Sequence, residues 1–476
     1  MTLRLCRSSW IFIALMATVS IHAEPVNYYR DIAPVFEEHC VICHRPGQVG
    51  PMSLMEYDHV RPWAKSIKAQ VSSRTMPPFH ATGAVGRYKN DLRLEPEEIE
   101  RIVRWVDQGA QKGNRADFQR TRDWATKKWP GGEPDLIVKF PRHKLKPGEN
   151  DPYVYLFAQN TTDRDVWVRG FDWNFSAKDY VHHSIGDALA KGFRRPEGDI
   201  HDPFETELKN APFGAGNAFY LPGMGPRFFP EGTAMKLSEG AQFYGIFHYA
   251  PLEGDEEVWD EPELGFYFAD GVRTAPYMKM RLNFEEISIE PGEANYTRVL
   301  RQTFEYDAYI QDINPHMHLR GKSMKLELIY PDGKKVDFDI PKFNFDWQRH
   351  YELQEPLFVP KGTVAELTAV WDNSIGNPLN PDATATVKYG PFTKNEMGSM
   401  GVAYIPVGDF PYSGTYPQKI TMGKNVTLST LDDFVQSVEK LSWEEVLELI
   451  DSLDEKKGLN VKRIWERKHG SGGKPE

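Results

Sequence analysis

Cys40 and Cys43 are separated by two residues, and His44 follows directly. Two thiols at that spacing, with an imidazole beside them, make the signature of one covalently attached haem c: two thioethers hold the porphyrin and His44 ligates the iron. The rival readings are a redox-active C-x-x-C pair and half of a zinc site. The zinc reading needs more thiolates, and the one other cysteine, Cys6, lies at the extreme N-terminus. A second iron ligand is expected from Thr75-Met76-Pro77-Pro78-Phe79, a stiff loop that presents the Met76 thioether. His59, His80, Met52 and Met55 are the alternatives, and a buried packing role for Met76 is the plain one.

Five of the fourteen histidines gather in three short places much further along. His182-His183 is an adjacent pair, His248 ends a strand-like run before Tyr249, and His316-Met317-His318 follows Asn314-Pro315. Residues i and i+2 of a strand share a face, so His316 and His318 can chelate one metal without distorting the backbone. Adjacent His182 and His183 point to opposite faces of a regular strand. They reach one ion only at a bulge or a strand end. Each place alone has a bland reading as a polar face or a hydrogen-bonded histidine; their coincidence in one chain points to metal.

The elements that must position these residues fall into three textures. Residues 1–23 carry Arg4 and Arg7, a short apolar stretch from Trp10 to Ile21 and a small-residue cleavage site at Ala23, which reads as a signal peptide. Export to a bacterial periplasm is the expectation, and that compartment is where haem c is attached. Residues 24–115 read as a helical haem domain. Tyr28 to Glu38 leads into the motif, and a second helix opens at Glu95-Pro96-Glu97-Glu98 with Ile99, Ile102, Val103 and Val106 on one face and Gly109 as its stop. Residues 116–135 look like a linker. From there, short alternating runs broken by Pro, Gly, Asp and Asn predict two all-β sandwiches, 136–285 and 286–412. The tail 413–476 is expected to return to helix, with Ser442 and Glu445 as a capping box. The chain is acidic, with a formal net charge of −11 and no lysine/arginine cluster, which argues against nucleic acid or an anionic membrane surface as partner. No stretch after the signal peptide is long and apolar enough to span a bilayer.

The order His182-His183, His248-Tyr249, His316-x-His318 and a methionine after an acidic residue, Glu396-Met397, resembles the type II copper, ascorbate-dependent monooxygenases. That family includes the peptide-amidating hydroxylase and dopamine β-monooxygenase. The chain is more closely similar to bacterial proteins that fuse a cytochrome c domain to such a module. The block Trp371-Asp372-Asn373-Ser374, with Asn377-Pro378 and Asn380-Pro381, is similar to the run that holds the methionine ligand there. The resemblance spans residues 27 to 405. It implies jelly-roll-like sandwiches and two coppers: an electron-transfer site of His182, His183 and His248, and an oxygen-activating site of His316, His318 and Met397, with Met400 as runner-up for Met397. It also implies that the two copper domains face each other across an open solvent cleft. Imidazoles suit copper, and a thioether favours Cu(I), the state that meets O₂.

Hydroxylating a C–H bond with O₂ takes two external electrons, and the second oxygen atom leaves as water. The expectation is therefore a periplasmic haem–copper monooxygenase acting on a small organic substrate. An ascorbate-like reductant or a periplasmic donor would supply electrons, with the haem as feeder. A non-catalytic electron-transfer or copper-binding protein is the second reading, and a zinc hydrolase or lyase built on the same histidines is the third. In the peptide-amidating enzyme an arginine two residues before the His-x-His binds the substrate carboxylate. Here that position is Asn314, so a peptide ending in glycine is a poor guess.

Overall fold

The computed structural model describes residues 24–408 except 125–126, 150–151, 160–163, 190–217, 238, 241, 253, 270–274 and 391, together with 420–422 and 426–428. The expected signal peptide and the expected capping box at Ser442 lie outside the described residues. Within 413–476 the described part is a pair of antiparallel strands, Ile420–Met422 and Val426–Leu428, ahead of the helix expected from Thr430, which lies outside the described residues. The β-branched residues Ile420, Thr421, Val426 and Thr427 favour that extended pairing.

The fold is mostly β, and the chain divides into two units. One holds the described residues up to Pro46, Gly50–Pro78 and Leu92–Trp124; the other holds Gly47–Val49, Phe79–Asp91 and the chain from Ala125. Among the described residues the first unit has no strand. It consists of short helices joined by long loops: Ala33–His39, Ala64–Ser72 and Pro96–Asp107. Glu95 and Glu98 form a reciprocal capping box at the start of the last of these, and Gly109, at φ 91°, follows its end. Tyr28, Ile32, Phe36, Ile102 and Trp105 are its fully buried centre. The helix Ala64–Ser72 and the core role of Trp105 escape a reading based on aliphatic spacing alone.

Residues 116–135 are not a plain linker. Phe118 packs into the core of the first unit, and the buried Glu37 carboxylate accepts from the backbone N–H of Thr121 and Arg122 and from the Trp124 indole. Residues 79–91, expected in the haem domain, belong to the second unit. There Thr82–Gly83 adds an edge to the strand Lys335–Ile340.

The second unit contains two pairs of sheets, each around its own apolar core. In the first pair, β1 (Tyr153–Gln159), β2 (Val181–Leu189) and β3 (Gln242–Tyr249) are neighbours, with β3 between the other two. Trp173, Phe247 and Phe243 fill the space beneath them. In the second pair, β4 (Met278–Asn283), β5 (Ala308–Met317) and β6 (Gly398–Pro406) are neighbours, with β6 central. The opposing sheet of Tyr296–Thr303, Gly321–Ile329, Lys335–Ile340 and Val364–Trp371 closes over them. Because β4 pairs with β6, the changeover between the halves falls near Tyr277, ahead of the expected boundary at 285. The alternating run of β4 carries no local mark of which half it joins.

Candidate metal centres

In the first unit, the chain leaving Ala33–His39 turns so that the N–H groups of Cys43 and His44 both donate to the Cys40 carbonyl, at 3.1 and 2.9 Å. His44 Nδ1 lies 3.2 Å from the Met52 carbonyl. A carbonyl only accepts, so Nδ1 carries the proton and Nε2 keeps its lone pair, the form a metal needs. The Leu54 N–H closes on the His44 carbonyl at 2.9 Å. Gly50 lies against the ring so tightly that a Cβ there would stand 2.6 Å from His44 Nδ1. Burial pushes the Cys40 thiol up to about 12, which speaks against a low-pKa redox pair. A histidine with one nitrogen fixed and two reduced thiols one turn away fit a thioether-bound haem.

Met76 lies half-buried in the loop after Ala64–Ser72, where its N–H donates to Gln70 O at 3.3 Å. Among its rivals, His59 is exposed at the end of its helical turn, and Met52 and Met55 lie half-buried in the 44–56 loop. His80 belongs to the second unit, where burial and then Arg349 and Lys342 lower its pKa.

In the second unit, His182, His183 and His248 come together as the only such histidine, cysteine or carboxylate group among the described residues. The ladder between β2 and β3 pairs His248 with His183 and then Tyr249 with Val181, so His182 is the extra residue of a β-bulge. The bulge turns both adjacent imidazoles to one side. Their Nδ1 atoms are 3.0 Å apart, His182 Nδ1 is 3.0 Å from His248 Nδ1, and His183 and His248 are 3.4 Å apart. A neutral imidazole puts either a proton or a lone pair at Nδ1, so among three such atoms at least one contact sets like against like. A cation resolves this. The three nitrogens stand close enough for all of them to ligate one ion at the usual ~2.0 Å. Burial, followed by the neighbouring histidines, holds His183 well below its ordinary pKa and keeps it neutral. Tyr153 on β1, directly across from His248, stacks on its ring at 4.1 Å and 13°.

His316 lies near the end of β5, and His318 just beyond it, with ring centroids 5.2 Å apart. Each has its Nδ1 held: His316 by the Gln348 side-chain oxygen at 2.5 Å, His318 by the Asn395 carbonyl at 3.2 Å. Both therefore present Nε2. Burial lowers His316 to about 4. Met397 lines the same pocket as His316, His318 and His183, whereas Met400 is wholly buried in the apolar core, which separates the two methionine candidates.

The loop carrying Met397 is stapled to the segment His318 to Arg320 by groups whose bonding the sequence does not state. Glu396, fully buried, accepts from the N–H of His318 at 3.2 Å and of Arg320 at 2.7 Å. Arg320, 2% exposed, donates to Asn373 Oδ1 and to the Lys394 carbonyl. The Trp371 indole donates to the Met397 carbonyl at 3.2 Å. Burial raises Glu396 to about 8 despite these donors. The available signal was the block from Trp371 to Asn373, read only as a resemblance.

The implied open cleft between the two sets is not what is seen. The His183 and His316 rings are 6.4 Å apart, and both line one pocket. Phe345, in the turn Phe345–Trp347, stacks on His182 at 5.3 Å and lies 6.2 Å from both His248 and His318. One apolar ring thus closes the two sets together. Three imidazoles suit copper or zinc alike; the thioether of Met397 is what favours copper.

No protein-family model matches the chain, and no curated protein matches it. Among solved structures it is similar to the major capsid protein P2 of bacteriophage PM2, with 11% identity, a TM-score of 0.23, and coverage of 57% of this chain and 99% of that one. It is also similar to the cowpea mosaic virus top component, with 10% identity, a TM-score of 0.26, and coverage of 62% and 97%. Likenesses at those TM-scores carry no argument about fold or function.

Proposed function

We propose that the chain is an exported, periplasmic haem- and copper-dependent monooxygenase that hydroxylates a C–H bond of a small organic substrate with O₂. The observation that carries this reading is a single pocket lined by His316, His318 and Met397 together with His183 of the three-histidine cluster. In this reading the helical first unit is a cytochrome c-like domain; Cys40, Cys43 and His44 would hold its haem, and Met76 would be the second iron ligand. The two β halves are the jelly-roll-like copper domains. His182, His183 and His248 hold an electron-transfer copper, and His316, His318 and Met397 hold the oxygen-activating one. Copper would supply O₂ activation and single electrons there, and a haem would supply electrons drawn from a periplasmic donor or an ascorbate-like reductant.

The protein's own contribution is to aim donors and exclude alternatives. Gln348 and the Asn395 carbonyl hold Nδ1 of the two histidines so that Nε2 faces the pocket. Met397 adds the soft donor, and the Glu396 staple fixes its loop to His318. The test is O₂ consumption with reductant across a substrate panel, comparing the native protein with Met397→Ile. Haem content should be unchanged while turnover collapses. Persistent turnover in Met397→Ile contradicts the oxygen-site assignment.

A further inference from the structure

The pocket shared by the two histidine sets also carries two cations that none of the chemistry above uses. Lys279 and Arg281 stand two residues apart on β4 and therefore share a face. Their register places them beside the second site. Arg281 pairs with Gly401 of β6, and Gly401 pairs with Asn314 of β5, two residues before His316. Lys279, Arg281, Asn314 and His316 all line the pocket. The missing side chain of Gly401 is what lets Lys279 lie across this floor, since a Cβ there would stand 3.0 Å from the Lys279 ammonium. That ammonium sits 4.3 Å over the ring of Phe219, another pocket wall. Among the described residues no carboxylate pairs with Arg281.

In a chain of net charge −11, two cations set side by side in a pocket lined by no carboxylate among the described residues are not a sample of the general surface. Tyr153, Tyr155, Ile185 and Ile246 supply the apolar part of the lining. An apolar body with a single anionic end matches this arrangement. Two strand spacings and two residues of rise separate Arg281 from His316, on the order of 12 Å between backbones.

Resting on the monooxygenase reading, we infer that the substrate is a small aromatic or branched organic anion, its carboxylate held by Lys279 and Arg281 while its body reaches toward His316, His318 and Met397. Asn314 does not supply the cation that the peptide-amidating relatives place at its position; the neighbouring strand does. An anionic reductant shares this chemistry and is separated from a substrate by the test.

The experiment is calorimetric titration of the full-length, copper-loaded protein, reduced and anaerobic so that nothing turns over. The probes are phenylacetate, its neutral analogue phenylacetamide, and ascorbate. Phenylacetate should bind roughly tenfold tighter than phenylacetamide. The preference should fall below about twofold in Lys279→Gln/Arg281→Gln and survive in Arg281→Lys, with copper content and circular dichroism checking that each variant is folded. Equal binding of acid and amide overturns the proposal, as does a preference that persists in the double variant. Displacement of phenylacetate by ascorbate at equal concentration assigns the cations to the reductant and overturns the substrate claim; failure to displace it supports a substrate site. Because binding is read without turnover, a failed O₂ assay contradicts the enzymatic reading and leaves this result standing on its own.

Discussion

The two histidine sets aim nitrogens at a point by different means. In the first set the backbone does it: one extra residue in the β2–β3 ladder turns His182 and His183 to the same side, and three Nδ1 atoms meet at 3.0 to 3.4 Å. In the second set the ladder runs without a shift from Asp312 to Met317, and side-chain and carbonyl acceptors do the aiming, through Gln348 and Asn395, with Met397 brought in by a stapled loop. A site whose three nitrogens are brought together by the backbone alone suits, on the proposed reading, a centre that only passes electrons. A site made by outer partners presents Nε2 and a thioether into a pocket, which suits a centre that must also meet a substrate. The comparison teaches that closely similar ligands can be set in place by quite different surroundings, backbone in one set and outer partners in the other.

The sharpest way to break this comparison is to remove one site. His248→Ala should lose one copper per chain and leave the second bound, because the ligands of the second set are held by their own partners, Gln348 and the Asn395 carbonyl. Metal analysis after dialysis checks this, and loss of both coppers would show that the sets form one centre. A smaller effect tests the outer partners. Gln348→Leu releases Nδ1 of His316, so Cu(I) affinity at the second site should fall between about tenfold and a hundredfold with the first site unchanged. A competition titration with a Cu(I) chelator reads both sites, and an equal fall at both contradicts the difference drawn here. The smallest change is Glu396→Gln. An amide nitrogen cannot accept, so one of the two N–H groups at His318 and Arg320 loses its partner inside the core, at a cost of about 1–3 kcal/mol. Thermal unfolding should show that loss, with Cu(I) affinity reduced at the second site alone. An unchanged melting curve removes the staple from the account.

Much of the candidate site was legible because its signals are local. The spacing of Cys40, Cys43 and His44, the shared face of His316 and His318, and the need for a bulge at His182-His183 all follow from the geometry of one turn or one strand. The capping box at Glu95 was half-legible from its acidic first turn. What escaped depends on register between distant segments. Nothing near Gln348, Phe345 or Lys279 states that a strand tens of residues away will bring it beside a histidine. The same cause hid the membership of residues 79–91 and of β4. The open cleft failed for a related reason: a ring such as Phe345 that bridges two sites is, in sequence, one aromatic among many.

The central claim is one haem and two coppers on one chain, and metal stoichiometry on the purified mature protein tests it most directly. Elemental analysis with a pyridine haemochrome assay should give one haem iron and two coppers per polypeptide, falling to one copper in His248→Ala. Zinc in place of copper, a single copper in the native protein, or no covalently bound haem would contradict the account.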